Sequence, residues 1–332
     1  MSSFKYNNVY IKDYHTIVGP KERKSKIQFD EAIEDYYFEE DTLEDAEIKM
    51  QEHVLNKILI NNKLLPSTVD IVCGGDLINQ IAITSYNLAN RKLPFLGVYN
   101  ACATFNESLI ILSNLIESNM INNGIAITSS HNLNSERQFR FPVEYGFDKK
   151  PYSTFTTTGA ACALLTNRRS EIKVESSTIG TVVDYGIKDA TNMGAIMAPS
   201  AAQTLHKHLK ELDRTIDYYD LIVTGDLGGY GSKLFQKIIL EDYDYILPSY
   251  YDAASIIYDN ESEGIEGGSG PVVIPLILFN KILKENKYKR ILFLATGSLH
   301  NPLMVNLKKS IPSITHAISI EVIKWWYILM HL

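Results

Sequence analysis

Two strand-like runs, "STVDIVCGGDL" (67–77) and "DYYDLIVTGDL" (217–227), close on the same three residues, Gly75-Asp76-Leu77 and Gly225-Asp226-Leu227. Each follows a stretch with helical spacing of apolar residues, "EDAEIKMQEHVLNKILINNKL" (44–64) in one case and "MAPSAAQTLHKHLKEL" (197–212) in the other. A helix, a linker, a buried strand and a glycine turn therefore recur in the same order, which favours parallel βαβ units over an all-β or all-α fold. A second pair of strings agrees: "AITSSHN" (126–132) and "ATGSLHN" (295–301) share Ala, Ser, His and Asn at matching places. The region around Cys102 then falls opposite "GGSGPVVIPLILFNKIL" (267–283), another small-residue turn entering a helix. Recurrence of order together with flanking pattern indicates duplication. The expected organisation is two α/β halves, 1–167 and 168–332, joined near "LLTNRRSEIKV" (164–174).

At 332 residues such a chain can bury roughly three quarters of its unfolded surface, enough for two packed halves with extensive cores. The apolar runs "GIAITSS", "LIVTGDL" and "RILFLATGS" are continuous rather than alternating, as in central parallel strands covered on both faces. Net charge is −7, with basic residues only in short groups such as "KERKSK" (21–26), so a nucleic-acid partner is not expected. Cys73, Cys102 and Cys162 form no CxxC pair, which fits a reducing compartment and gives no cysteine metal site. The N-terminal residues lack the apolar run of a secretory signal, and nothing reaches the ~20 apolar residues of a membrane span, so a cytosolic protein is expected. The last residues, "EVIKWWYILMHL" (321–332), read as a terminal element packed on the core, although Trp325 and Trp326 also suit an interface.

Ligands of open α/β sheets sit beyond the carboxyl ends of the strands. Cys102, Asp76, Asp226, His131 and His300 all fall at such ends, and a shared pocket follows as an expectation. Cys102, in "YNACATF", has small neighbours that allow a sharp turn, and a helix N-terminus behind it would stabilise a thiolate. A free cysteine is equally a small buried apolar residue, the reading that suits Cys73 and Cys162. His131 and His300 either cap turns or offer imidazoles to the pocket; His206 and His208, two apart on a helix, face different sides and read as ordinary helix residues. "SERQFRFPVEYG" (135–146) supplies Arg137 and Arg140, either as a solvated loop laced with salt bridges or as anion-binding forks.

Several long irregular strings resemble one family: "VGPKE" (18–22), "GGDLINQ" (74–80), "LPFLGVYNACAT" (93–104), "AITSSHN", "ERQFRFPVEYG" (136–146), "DATNMGAIMAP" (189–199), "LIVTGDLGGYGS" (221–232), "EGGSG" (266–270) and "LATGSLHNP" (294–302). The arrangement is similar to the thiolase superfamily, and within it to the stage V sporulation protein AD family of spore-forming bacteria. The resemblance implies a thiolase-like fold with duplicated halves in α/β/α/β/α layers. It implies a protein that binds dipicolinic acid, pyridine-2,6-dicarboxylate, and aids its loading into the forming spore with SpoVA membrane proteins. The location implied is peripheral, on the cytoplasmic side of the forespore or spore inner membrane, and the usual state of the fold is a homodimer.

No turnover follows from the resemblance. In condensing relatives a histidine and an asparagine, or two histidines, face the cysteine and hold an oxyanion. Here the positions that look equivalent carry Asp226 and Gly268, one repelling an oxyanion and the other offering no side-chain donor. Cys102 then reads as the floor of a binding pocket, with His131, Asn132, Arg137, Arg140, Asp226 and His300 as candidate ligand-binding residues and no resident metal or cofactor. Asp76 and Asp226 would oppose a bare dianion, so they are expected to tie down their glycine turns or to meet the ligand through calcium, which prefers oxygen. The competing expectation is a Cys102-dependent acyl-thioester transferase or condensing enzyme.

Overall fold

A computed structural model of the chain describes residues 2–89, 91–139, 150, 152–258 and 266–323. Its strands are β1 (Ser3–Lys5), β2 (Tyr10–Val18), β3 (Glu31–Ala32), β4 (Ile71–Gly75), β5 (Phe95–Gly97), β6 (Asn123–Ser130), β7 (Phe155–Thr156), β8 (Gly159–Thr166), β9 (Ile172–Thr178), β10 (Leu221–Thr224), β11 (Ser249–Asp252), β12 (Gly268–Ser269), β13 (Arg290–Ser298) and β14 (Ser313–Val322). The main helices are α1 (Leu43–Asn61), α2 (Ala82–Ala89), α3 (Thr104–Glu117), α4 (Asn132–Phe139), α5 (Met193–Leu212) and α6 (Gly228–Tyr243). They are followed by the shorter α7 (Ala253–Ile257), α8 (Val273–Ile277), α9 (Leu283–Glu285) and α10 (Pro302–Asn306), with a π-helical turn, Leu278–Ile282, between α8 and α9.

One large sheet runs β11-β10-β13-β14-β9-β2-β8-β6-β4-β5. Read from its middle, β2-β8-β6-β4-β5 and β9-β14-β13-β10-β11 are the same sequence of strand types: antiparallel inner pairs lead to parallel outer strands on each arm. Helix α3 packs against β4 and β6 of one arm and β13 and β14 of the other, so it occupies the layer between them. Helix α1 covers the outer face of the first arm, on β2, β6 and β8, and α5 with α6 covers the second, on β13 and β14. The layers are therefore α/β/α/β/α, and the apolar core divides accordingly. A central cluster includes Phe105, Leu109, Phe279 and Phe293, with one outer cluster around Met50, Val54 and Ile58 and another around Ile196, Leu205 and Phe235.

Local chemistry explains where the outer helices begin. Thr42 Oγ accepts from the Asp45 amide at the start of α1, with Glu44 and Asp45 in the first turn, and the Asn192 side chain accepts from the Ala195 amide at the start of α5. Strands β4, β6, β8, β10 and β13 are buried almost throughout, as their unbroken apolar runs require. The C-terminal string ends in β14, inside the sheet, as far as Val322; residues 324–332, including Trp325 and Trp326, lie outside the described residues.

Candidate binding site

Cys102 sits in the turn between β5 and α3, where Ala101 takes a left-handed φ of 49°. A left-handed alanine costs of order 1 kcal/mol, so its surroundings must hold it there. Thr104 does so: its hydroxyl accepts from the Asn100 amide (3.0 Å) and donates to the Ala101 carbonyl (2.7 Å). From the other arm, the end of β13 presses on the same turn. A Cβ on Gly297 would lie 2.3 Å from the Asn100 carbonyl oxygen, so only glycine allows the approach. Asn100 also meets Nε2 of His316 at 3.1 Å; burial holds that imidazole down to about 4, hence neutral. No side chain caps the N-terminus of α3.

Cys102 lies deep between the layers and is partly buried, whereas Cys73 and Cys162 are fully buried. Its thiol donates to the carboxyl of Asp226, which is 1% exposed and also accepts from the Gly270 amide at 2.7 Å. Burial first, then the Asp226 charge and hydrogen bond, push the thiol well above its ordinary range. Burial likewise pushes the Asp226 carboxyl far up, with the Asp252 charge adding to it. Each group therefore holds its proton more tightly than it would in water. The loop glycine that meets the thiol is Gly270; Gly268, the expected counterpart of the relatives' asparagine, lies against Ile257, Thr157 and Tyr258 instead.

The other buried carboxylates have different work. Asp76 accepts from the Ile78 amide (2.9 Å) and from the Thr84 amide and hydroxyl (2.8 and 2.7 Å), which ties down its glycine turn as expected from sequence. In the second arm that task falls to Asp252, which accepts from Thr224, Leu227, Gly228 and Ser255. Asp226 is released from it and faces Cys102. Glu22, from the "VGPKE" string, is fully buried; its Oε1 accepts from the Thr158 amide at 3.1 Å and from the Tyr258 hydroxyl.

Burial raises the Glu22 carboxyl to about 7. A carboxyl raised on folding holds its proton more tightly in the native state, so its contribution is complete below about pH 4.5 and is lost as pH rises through 7. Glu22→Gln keeps the neutral form, so its stability relative to wild type is expected to improve between pH 5 and 7.5, by up to about 1.4 kcal/mol per pH unit. Urea denaturation of both proteins across that range checks this; parallel pH profiles would refute it.

The remaining candidates separate. His131 is fully buried at the end of β6, its Nε2–H donating to the Tyr36 carbonyl at 2.9 Å, and burial lowers its pKa. Its Nδ1 has no partner and is an acceptor, so the imidazole does not donate to an anion as the sequence reading allowed. Asn132, next along, donates nothing from Nδ2, a buried amide donor left without a partner. Ser130, two residues earlier, lies against Gly270 and donates to the Thr157 carbonyl at 2.7 Å. Ser298, at the matching end of β13 beside Gly297, has a buried hydroxyl without a partner. Nothing in the sequence distinguishes Ser298 beyond its place in the "ATGSLHN" repeat.

Arg137 is drawn out of the group. It donates to Glu44 of α1 and to Asn134 Oδ1, half-exposed on the outside of α4, so the surface ion-pair reading prevails. His300 packs its ring against Phe139 at the far end of α4, 5.5 Å between centroids. Arg140 lies outside the described residues. The structure thus brings Cys102 and Asp226 together and places Ser130, which immediately precedes His131 and Asn132, against Gly270.

A central helix headed by a partly buried cysteine, between two sheet arms, defines a thiolase-like protein. Known structures agree. OleA of Xanthomonas campestris superimposes with a TM-score of 0.62 at 14% identity, covering 96% of this chain and 99% of that one. A further OleA structure, with bound lauric acid and lauroyl-CoA, gives 0.57 at 13% identity over 95% and 99% of the two chains. The 3-oxoacyl-(acyl carrier protein) synthase III FabH of Xanthomonas oryzae pv. oryzae gives 0.56 at 14% identity over 95% and 100%. Within this class the chain belongs to the stage V sporulation protein AD (SpoVAD) family, whose profile matches residues 2–321. Stage V sporulation protein AD of Bacillus subtilis (strain 168) is 36% identical over 318 residues, 94% of each chain.

Proposed function

We propose that the protein binds dipicolinic acid in the cleft at Cys102 without turning it over. In this reading it aids uptake of the ligand into the developing spore together with SpoVA membrane proteins, from the cytoplasmic side of the inner membrane. The observation that carries the proposal is the Cys102–Asp226 pair. A thiol whose proton is held by burial and by a neighbouring carboxyl is a poor nucleophile. Unspent donors suit carboxylates: Asn132 Nδ2, Ser298 Oγ and the uncapped N-terminus of α3. Membership of a sporulation family supports the setting. Among the described residues no helix is long and apolar enough to cross a membrane, which is compatible with peripheral attachment. Strand β5 ends the sheet with Leu96 40% exposed, and we assign homodimer pairing to that edge.

Calorimetric titration with dipicolinate tests the reading. Cys102→Ala and Asn132→Leu are expected to weaken binding about tenfold or more, because each removes a wall or donor of the cleft. Arg137→Ala is expected to leave affinity unchanged, since Arg137 is engaged with Glu44. Equal affinity in all four proteins would reject this cleft. A second reading, acyl transfer through Cys102, is favoured by one observation, the left-handed Ala101 turn that presents the cysteine at the head of α3. It requires a Cys102-linked acyl adduct in the intact mass after incubation with acyl-CoA.

A further inference from the structure

On the outer face of the first arm, away from Cys102, three potential ligands converge from three elements. His15 projects from β2, Glu31 from β3, which pairs with β2 through Ile17 and Glu31, and His53 from α1. His15 Nε2 lies 3.1 Å from Glu31 Oε1, His53 Nε2 lies 2.5 Å from Glu31 Oε2, and the ligating atoms all fall within 4.8 Å of one another. Two ligands of a tetrahedral zinc ion, each about 2.0–2.1 Å from the metal, are about 3.3 Å apart. The 3.1 Å spacing is near that value, and side-chain rotation alone would bring the 2.5 Å pair and the two imidazoles, all within 4.8 Å, to it. The group is reachable: side-chain exposure is 14% for His15 and 30% for both Glu31 and His53.

We propose that His15, Glu31 and His53 form a binding site for a borderline divalent cation such as zinc, with solvent completing the coordination. Imidazole nitrogens and a single carboxylate select such a cation over calcium or magnesium, which take oxygen ligands. Binding takes each imidazole in the neutral tautomer that leaves Nε2 free, so zinc competes with protons and binds more weakly in acid. Lys57, one turn beyond His53 on α1, already occupies Glu31 Oε1 at 2.7 Å and is a competing cation. It must swing away when the metal enters. The site would clip the segment after β3 to the sheet and to α1, and this segment supplies the Tyr36 carbonyl that holds His131.

The test is titration of the untagged full chain with Zn²⁺ against a chromophoric chelator. Wild type and Cys102→Ser are expected to bind one equivalent alike, which excludes the accessible thiol as the ligand. Glu31→Gln and His53→Gln are expected to weaken binding about tenfold or more, and Lys57→Met, which removes the competing ammonium, to tighten it. Circular dichroism verifies that each variant is folded, and Lys57→Met provides a readout independent of the ligand substitutions. Absence of stoichiometric binding, loss of binding in Cys102→Ser, undiminished binding in His53→Gln, or no tightening in Lys57→Met would each overturn the proposal.

Discussion

Replacing Asp226 with histidine is expected to accelerate alkylation of Cys102 by iodoacetamide about a hundredfold or more at pH 7.5. In the native protein burial, the Asp226 charge and the hydrogen bond from thiol to carboxyl all keep the proton on sulfur. An imidazole at the same place reverses two of these: it accepts the thiol proton and, once protonated, stabilises the thiolate. A fall of two pKa units raises the thiolate fraction about a hundredfold at a pH below both values. Asp226→Asn, which removes the charge but supplies no base, should lie between the two. Cys73 and Cys162 are internal controls, since burial puts the Cys73 thiol up at about 12 and shuts both from solvent. Site-resolved alkylation rates by mass spectrometry provide the check. Equal rates at Cys102 in wild type and Asp226→His would mean that the carboxyl does not govern the thiol.

The second large effect concerns the middle layer. Phe279, fully buried in the π-helical turn, stacks on Tyr14 of β2 with 4.2 Å between centroids and 6° between planes, and meets Phe105 of α3 edge-on at 6.2 Å. Its neighbour Asn280 donates to Thr16 of β2 at 2.9 Å and accepts from the Asp30 amide at 3.1 Å. The widened turn thus presents an aromatic and an amide to the first arm from a segment of the second half. Phe279→Ala removes a whole ring from a site with no room to collapse, and a loss of about 3–5 kcal/mol in urea denaturation is expected. A loss below about 1 kcal/mol would show that the two halves are held together elsewhere.

Much of this arrangement was legible in the chain. Continuous apolar runs ending in glycine turns marked β4, β6, β10 and β13, because strands covered on both faces leave no polar alternation. The capped starts of α1 and α5 are local chemistry and equally readable. The site was harder, for a physical reason that Asp76 and Asp226 display. Both stand in the same Gly-Asp-Leu string, yet Asp76 turns to its own helix and Asp226 to Cys102, because Asp252 of β11 has already satisfied the second turn. That choice depends on partners far along the chain, which a local tripeptide does not encode. Arg137 illustrates the reverse case. Its string, rich in charge, reads either as a solvated loop laced with salt bridges or as anion-binding forks, and Arg137 stands among the candidate ligand-binding residues; its pairing with Glu44 follows the first pattern. Ser298 and the unpartnered Asn132 amide carry no residue signature at all; only burial without a partner marks them.

The central claim is that the cleft floored by Cys102 holds a ligand and does no covalent chemistry on it. The most direct measurement is the rate of Cys102 alkylation at pH 9 during titration with dipicolinate, with intact mass followed in the same samples. Alkylation is expected to slow in proportion to occupancy, with no mass added by the ligand. Saturable binding with an unchanged alkylation rate would place the ligand elsewhere and contradict it.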